Sequence, residues 1–189
     1  MKILSLCDLT GGWSDPYRRA GYEVIQLDIQ KDPLADVRLR EFAPGQIRGI
    51  IAQPPCTHFA SSGARWWKGK GEAKLLEALA IMDACLRAVV IHRPAWWVLE
   101  NPVGRISRYL GPPALTFDPC EFAGWSEEPE IERYTKRTCL WGQFFPPQPR
   151  PLSPVLGSKM HRLPPGPDRA NLRSATPRGF AAAFFEVNR

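Results

Sequence analysis

The segment from Arg48 to Asn101 constrains the fold of this chain most, because its pattern predicts a strand, a helix and a second strand. The apolar run 50–52 has the length of a short buried strand, and the run 95–99 has the same character. Between them, residues 72–91 carry apolar side chains at helical spacing. A strand–helix–strand unit joins parallel strands and is right-handed in nearly all proteins. The carboxyl ends of both strands should therefore meet at one edge of a sheet.

Two reactive side chains follow these strands. Gln53-Pro54-Pro55-Cys56 comes directly after the first strand, and Glu100-Asn101-Pro102 continues the second. Proline fixes φ near −65°, so the Pro-Pro pair stiffens the backbone that holds the thiol. Open α/β folds place their chemistry at this edge, which favours Cys56 as a nucleophile with Glu100 on the same side. The alternative is a strand stop followed by one of several structural cysteines.

The N-terminal segment shows a second pattern of this kind. Lys2–Cys7 predicts a buried strand, the Gly-containing loop Asp8–Trp13 follows, and a short helix precedes the strand 22–27. That strand ends at Asp28, about 20 residues beyond the start of the loop. In nucleoside-binding α/β folds, an acid at this place accepts hydrogen bonds from ribose hydroxyls. The alternative is that the glycines only form a turn and that Asp28 only ends the strand, with no ligand bound.

The remaining segments complete one α/β domain. Ala35-Asp36-Val37 predicts a short third strand, and residues 115–118 and 134–141 predict further strands. Residues 143–167 hold eight of the 20 prolines, which predicts a loop or an extended wrap. We expect a single domain over residues 1–189, with a mostly parallel sheet and helices on both faces.

The charge balance favours an acidic partner. The chain has 25 Lys and Arg against 19 Asp and Glu, a net charge of +6, and polyanions gain affinity by releasing counterions to such side chains. Arg65-Trp66-Trp67-Lys68 combines cations with aromatic rings, a mixture that stacks on bases and contacts phosphates. A solvated loop with two aromatic rings folded onto the core is the alternative.

Cysteine and histidine usage argues against disulfides and metal. The five cysteines are odd in number and lack a C-x-x-C spacing, which fits reduced thiols in the cytoplasm. The three histidines stand far apart, so no metal site is expected. No apolar run reaches membrane-spanning length and the N-terminus has no signal-sequence pattern, so no membrane partner is expected.

Taken in order, the motifs resemble those of the cytosine-C5 DNA methyltransferase family. The N-terminal half carries likenesses to the family's Phe-x-Gly-x-Gly-Gly motif, ribose-binding acid and Gly-Asp-Ile motif: Cys7-Asp8-Leu9-Thr10-Gly11-Gly12, Asp28 and Ala35-Asp36-Val37. The remainder carries likenesses to its nucleophile, Glu-Asn-Val and, more loosely, Gln-x-Arg-x-Arg motifs: Pro54-Pro55-Cys56 with Phe59 and Ser61, Glu100-Asn101, and Lys136-Arg137-Thr138. The resemblance covers roughly residues 3–142, with a final helix after Thr176 as a last motif. It implies a Rossmann-like fold that uses S-adenosylmethionine.

The resemblance also implies roles for individual residues in DNA cytosine-5 methylation through a covalent Cys–C6 intermediate. Cys56 would be the nucleophile, Glu100 the acid at N3 and Arg137 the cation near O2. The implied cofactor-binding residues are Asp8, Thr10, Gly11, Gly12, Trp13, Asp28, Ile29, Asp36 and Pro54. The implied substrate-binding residues are Ser61, Ser62, Arg65, Trp66, Trp67, Lys68, Asn101, Lys136 and Thr138. The DNA would be a base-flipped duplex or a single strand, because the target carbon is inaccessible within a duplex.

Three departures from the family pattern keep alternatives open. Leu9 replaces the first motif glycine next to Asp8, which could grip the cofactor's amino group or accompany a modified donor such as carboxy-S-adenosylmethionine. Pro102 replaces the valine after Glu-Asn, and the Pro-rich run 143–167 stands where the family inserts a target-recognition domain. Low sequence specificity is therefore expected, as in small phage-type relatives, in a monomer within a bacterial host or a phage-infected cell. Transfer of a larger group, action on a free nucleotide, and a non-catalytic DNA-binding role are the alternatives.

Overall fold

The computed structural model describes the whole chain, residues 1–189, around one six-stranded sheet. The strands are β1 (Lys2–Leu6), β2 (Glu23–Leu27), β3 (Ile47–Ala52), β4 (Trp96–Pro102), β5 (Leu115–Phe117) and β6 (Thr138–Gln143). Their order across the sheet is β2-β1-β3-β4-β6-β5. The first four pair in parallel, whereas β6 is antiparallel to both β4 and β5. Only β6 therefore runs against the others, and β1 to β4 end at the same edge.

Helices cover both faces of this sheet. The α-helices are α1 (Asp15–Arg19), α2 (Trp67–His92), α3 (Ser107–Leu110), α4 (Arg169–Ser174) and α5 (Arg178–Val187). On one face, Leu4, Ile50 and Leu99 of the strands join a core with residues of α2. On the other face, Ile3, Ile51 and Val98 join residues of α1 and α5. Successive strand residues point to opposite faces, so each strand supplies both cores. The α/β class predicted from the sequence is the one observed.

The predicted third strand is wrong. Ala35 and Val37 are buried, but the surrounding backbone turns, and β2 is the edge strand of the sheet. The Arg87 guanidinium from α2 donates to the carbonyl oxygens of Val37, Arg38 and Arg40. These bonds satisfy carbonyl groups that a sheet neighbour would otherwise pair with, so the apolar side chains are buried without a strand.

After Gln143, the last residue of β6, the Pro-rich segment 143–167 is irregular apart from turns and one short 3₁₀ helix, Lys159–His161. Leu152 N–H donates to the Cys120 carbonyl (2.8 Å), and Leu156 N–H donates to the Arg133 carbonyl (2.9 Å). The Arg150 guanidinium lies over the Trp125 ring at 3.4 Å from its centroid. The segment therefore follows the 3₁₀ turns between β5 and β6 and adds no separate core.

Helix α5 is fixed by a tertiary cap. The buried carboxylate of Glu132 accepts hydrogen bonds from the N–H groups of Arg178 and Gly179 at the start of the helix. A side chain at Gly179 would overlap the Phe122 carbonyl, so this approach requires glycine. Phe180 and Phe184 are fully buried. The start of α5 thereby becomes a fixed wall beside the carboxyl edge of the sheet. None of the helices combines the length and apolar character needed to span a membrane.

Candidate active site

The loops that follow β3 and β4 are bonded to each other. Asn101 Nδ2 donates to the Pro54 carbonyl at 2.8 Å, and this bond is buried. Arg105 Nε donates to the His58 carbonyl at 2.6 Å. The Pro-Pro-Cys and Glu-Asn segments, which are 47 residues apart at the Pro54–Asn101 bond, therefore form one unit.

Backbone contacts extend this unit. Ala60 and Gly104 form an antiparallel bridge, with Ser61 N–H donating to the Val103 carbonyl (2.8 Å) and Arg105 N–H to the Phe59 carbonyl (2.9 Å). A Cβ atom at Gly104 would overlap the Phe59 carbonyl group. The two segments approach so closely that position 104 requires glycine.

Cys56 begins a short 3₁₀ turn, Cys56–His58, at this edge. Burial of the sulfur raises the pKa of the thiol above its ordinary value, and the charge of Glu100 raises it further. The charges of Lys136 and Arg173 lower it. The residue as a whole is exposed, so the site is an open cleft and its walls desolvate the sulfur only in part. Cys56 is open to solvent as a residue, and burial of its sulfur affects the pKa of the thiol more than the three charged neighbours do.

Glu100 lies in a pocket between the sheet and the start of α5. The pocket is lined by aromatic, polar and cationic residues: Trp13, Glu100, Phe117, Lys136, Thr138, Thr176, Pro177 and Phe180. Burial raises the pKa of the Glu100 carboxyl, and the charge of Lys136 opposes this shift. Glu100 makes no ion pair or hydrogen bond within the protein that would hold it ionised. A carboxyl group with a raised pKa keeps its proton to higher pH than usual, which suits a proton donor.

The predicted cation Arg137 does not face Glu100. Arg137 Nη1 bonds to Asp118 Oδ2 at 3.2 Å, and 57% of its side chain is exposed. Lys136 and Thr138, on either side of it, both line the Glu100 pocket. Because side chains alternate along an extended chain, Arg137 points away from that pocket. The cation beside Glu100 is Lys136, which makes no ion pair.

The Gly-containing loop after β1 is organised by Asp8. Its buried carboxylate accepts hydrogen bonds from Ser5 Oγ (2.7 Å), Gly11 N–H (2.7 Å) and Ser14 Oγ (3.4 Å). These three donors turn Asp8 into the loop, so it does not have the outward position expected of a residue that grips a cofactor. Gly11 has φ +68°, a conformation that favours glycine, and Gly12 follows at the surface of the loop with Thr10 exposed.

The other predicted cofactor residues divide into three groups. Asp28, at the end of β2, accepts from Gln30 N–H through Oδ1 alone, which leaves Oδ2 free, and Ile29 beside it is 54% exposed. Asp36 is instead held by Arg38 in a two-pronged ion pair, which lowers the pKa of the Asp36 carboxyl. Trp13 and Pro54 are buried. Of these, Trp13 lines the Glu100 pocket.

The predicted substrate loop is helical and exposed. Ser61–Trp66 forms a 3₁₀ helix that continues into α2, and a backbone break at Gly71 (φ +75°) interrupts the first turns. The exposed members of this segment are Ser61, Ser62, Arg65, Trp66 and Lys68. Trp67 is partly buried under the Arg105 guanidinium, 4.4 Å from its ring centroid. The Arg65 guanidinium lies 5.0 Å from the Trp66 ring centroid, which leaves an aromatic and cationic surface open to solvent.

Polar atoms without partners concentrate around this edge. Seven buried side-chain nitrogen or oxygen atoms make no hydrogen bond within the protein. Five of them belong to residues of the loops described above: Trp13, Gln53, His58, Trp67 and Asn101. Most buried polar groups in native proteins are paired, so such a concentration points to a site where a ligand supplies partners.

The sequence did not predict that the segment containing Asn171 and Thr176 lies against this edge of the sheet. Thr176 Oγ1 accepts from Gln53 Nε2 at 2.9 Å, and the Asn171 and Gln30 side chains bond to each other at 3.1 Å and 3.5 Å. Helix α4 therefore lies across the ends of β2 and β3. No signal in the sequence marks it, because these contacts join residues 123 and 141 positions apart.

Comparisons with known proteins identify no family for this chain. No protein-family model matches the chain, and no curated protein matches it. A solved structure of a candidate DNA modification methyltransferase encoded within an E. coli prophage matches with a TM-score of 0.39 and 15% sequence identity. The match covers 81% of this chain and 53% of that one, so this chain spans about half the length of that protein. A likeness this weak bears on neither the fold nor the function.

Proposed function

We propose that the chain is an S-adenosylmethionine-dependent DNA (cytosine-5)-methyltransferase of low sequence specificity. The proposal rests on one observation: the Cys56 and Glu100 segments lie together at one edge of the sheet, where Asn101 donates a hydrogen bond to Pro54. An accessible thiol and a carboxyl group with a raised pKa are the two groups that activation of a cytosine ring requires. This pairing is the reason for preferring a catalytic role to a purely DNA-binding one.

The topology supports a cofactor site next to this pair. From β1 the chain passes to β2 on one side, while β3 lies on the other side of β1. Ligands of open α/β sheets bind at such a switch point, outside the carboxyl ends of the strands. The Gly-containing loop follows β1 and the Pro-Pro-Cys segment follows β3, so both flank the switch point. This arrangement favours the Rossmann-like methyltransferase fold.

The residues at the switch point suit S-adenosylmethionine. Asp28 offers Oδ2 to ribose hydroxyls, and exposed Ile29 offers an apolar surface to an adenine. Gly11 and Gly12 let the backbone approach a ligand closely. When bound, the cofactor supplies an electrophilic methyl group. Asp8 would act by shaping the loop, and Asp36 by fixing the turn after β2.

The chain's own residues would activate the ring. The Cys56 thiolate adds to C6 of cytosine, and the displaced electron pair moves toward C5 while Glu100 gives its proton to N3. Carbon C5 thereby becomes nucleophilic. After transfer, a base such as bound water removes the C5 proton, β-elimination expels the Cys56 thiolate, and N3 returns its proton to Glu100, which restores the ring.

Lys136 is the cation proposed for this site. Its charge lowers the pKa of both the Cys56 thiol and the Glu100 carboxyl, so it favours the reactive thiolate. An ammonium group beside the pocket would also stabilise electron density that develops on the ring as the thiolate adds. Arg137, held by Asp118, would support the segment that positions Lys136, whose N–H donates to the same carboxylate at 2.7 Å.

A trapping experiment tests the proposal directly. Single-stranded DNA containing 5-fluorocytosine is incubated with the protein and S-adenosylmethionine. Carbon C5 then carries fluorine in place of the proton that elimination removes, so elimination is blocked and the protein should stay covalently attached to the DNA. We expect a denaturation-resistant complex whose DNA adduct maps to Cys56. The variant Cys56→Ser should form none, and the matched control Cys85→Ala, at a fully buried thiol, should form it normally.

The product identifies the transferred group. Cytosine-containing DNA is incubated with the cofactor, digested to nucleosides and weighed. A mass gain of one methylene on deoxycytidine supports the proposal. Bound cofactor without any gain on cytosine contradicts it.

A further inference from the structure

Arg173 is a cation next to the site with no partner of its own. It lies on α4 and is partly buried, and its guanidinium makes no ion pair or hydrogen bond within the protein. Other arginines of the C-terminal segment are engaged: Arg169 donates to the carbonyls of Leu163 and His161, and Arg178 pairs with Glu128. A partly buried arginine whose guanidinium donors are all unused is available to bind an anion.

The position of Arg173 is fixed by bonds on either side of it. Two residues before it, Asn171 bonds to Gln30 after β2; three residues after it, Thr176 bonds to Gln53 after β3. The segment from Asn171 to Thr176, which contains Arg173, is thus bonded to the residues after β2 and β3. Thr176 also lines the Glu100 pocket. Arg173 therefore stands at the rim of the cleft that holds Cys56, and its charge acts on that thiol.

The 3₁₀ helix Ser61–Trp66, which comes after the Pro-Pro-Cys segment, carries a different kind of surface. There the exposed Trp66 ring and the Arg65 guanidinium follow the Pro-Pro-Cys segment in sequence. An aromatic surface suited to stacking on bases thus lies on the Cys56 side of the cleft, and a lone guanidinium comes from α4.

We infer that Arg173 binds a backbone phosphate of the DNA strand that carries the target cytosine, so that α4 and the 3₁₀ helix Ser61–Trp66 hold one strand between them. The inference rests on the proposed function and deepens it by assigning a residue that binds the backbone of the DNA strand. A guanidinium matches the geometry of a phosphate and carries no base preference. This contact would anchor the strand without a separate recognition domain.

The salt dependence of DNA binding tests the inference. Binding of a fluorescent single-stranded oligonucleotide is measured by anisotropy between 50 and 200 mM salt, for the wild type, Arg173→Ala and Arg40→Ala. Each phosphate contact to a single strand contributes about 0.7 to the slope of log K against log salt. We expect Arg173→Ala to lower the slope by about 0.7 and Arg173→Lys to keep it. The control Arg40→Ala removes an exposed charge near the far end of α2 and should leave the slope unchanged.

The outcomes separate failure of the inference from failure of the proposed function. An unchanged slope in Arg173→Ala, with 5-fluorocytosine trapping intact in the wild type, overturns the inference alone. Weaker S-adenosylmethionine binding by Arg173→Ala without DNA, measured by calorimetry, also overturns it, because the arginine would then serve the cofactor. A wild-type chain that neither binds single-stranded DNA nor is trapped by it overturns both.

Discussion

The contact between the loops that follow β3 and β4 gives the sharpest prediction, at Gly104. The substitution Gly104→Ala places a methyl group against the Phe59 carbonyl, where backbone atoms leave no room. The loops must separate, which weakens the hydrogen bonds Ser61–Val103 (2.8 Å) and Arg105–Phe59 (2.9 Å). Two such bonds are worth about 1–3 kcal/mol together, and the lower chain entropy of alanine in the unfolded state returns about 0.4–1 kcal/mol.

We therefore expect Gly104→Ala to lose up to about 2.5 kcal/mol of unfolding free energy. For a domain of this size the midpoint of thermal unfolding falls by about 2–4 °C per kcal/mol, so the expected drop is up to about 10 °C. The effect on the covalent step should be larger in proportion. A displacement of about 1 Å between reacting groups can cost about 10²-fold, and the strained bridge lies four residues beyond Cys56 at Ala60.

The matched control is Gly63→Ala in the adjoining 3₁₀ helix. A Cβ atom there would meet only the Thr57 carbonyl oxygen, at 4.0 Å, which is open space by comparison. Both variants make the same chemical change, so the control measures the entropy effect alone. Thermal unfolding and the rate of 5-fluorocytosine trapping are compared for the two. Equal midpoints with an unaltered trapping rate in Gly104→Ala would refute the proposed contact between the loops.

Three further predictions concern charged groups. Burial raises the pKa of the Glu100 carboxyl, so its contribution to stability is complete at low pH and is lost as pH rises through the raised value; Glu100→Gln should thus unfold at higher urea than wild type at pH 8 and at equal urea near pH 4. The same variant should slow trapping by about 10²–10⁴, since it cannot donate the proton. Lys136→Met should raise the pKa of the Cys56 thiol, measured by the pH dependence of iodoacetamide alkylation, whereas Arg137→Met should leave it in place. Glu132→Ala should lower the thermal midpoint by several degrees, because two buried N–H groups of α5 lose their acceptor at a cost of about 1–3 kcal/mol each; an unchanged midpoint would show that water replaces the carboxylate.

The relation between Cys56 and Glu100 could be predicted because it follows from topology. Handedness and strand direction hold for nearly every strand–helix–strand unit, whatever its side chains. Two apolar runs with a helical stripe between them therefore sufficed to bring residues 44 positions apart to one edge. The hydrogen bond from Asn101 to Pro54 holds the two segments together, and no topological rule predicts it.

Asp8 and residues 35–37 take positions that their sequence patterns do not predict. The family resemblance implied that Asp8 binds the cofactor, yet Ser5, Gly11 and Ser14 supply enough donors to bury its carboxylate. Ala35-Asp36-Val37 has the apolar alternation of a strand, but Arg87 from α2 takes the carbonyl groups that a strand would pair. At residues 35–37 a partner from a distant helix decides the outcome, whereas the donors to Asp8 come from residues three to six positions away.

The choice between Lys136 and Arg137 rests on strand register. Glu100 lies opposite Leu140 in the antiparallel pair of β4 and β6, and cross-strand partners share a face of the sheet. Side chains alternate, so Thr138 shares that face, while Cys139 packs into the opposite core. Continuing the alternation backwards from Thr138 brings Lys136 to the side of Glu100 and turns Arg137 away, toward Asp118. A motif comparison favours the arginine because it matches residue types, but a shift of one residue moves a side chain to the other face, and the register of β6 therefore selects the lysine.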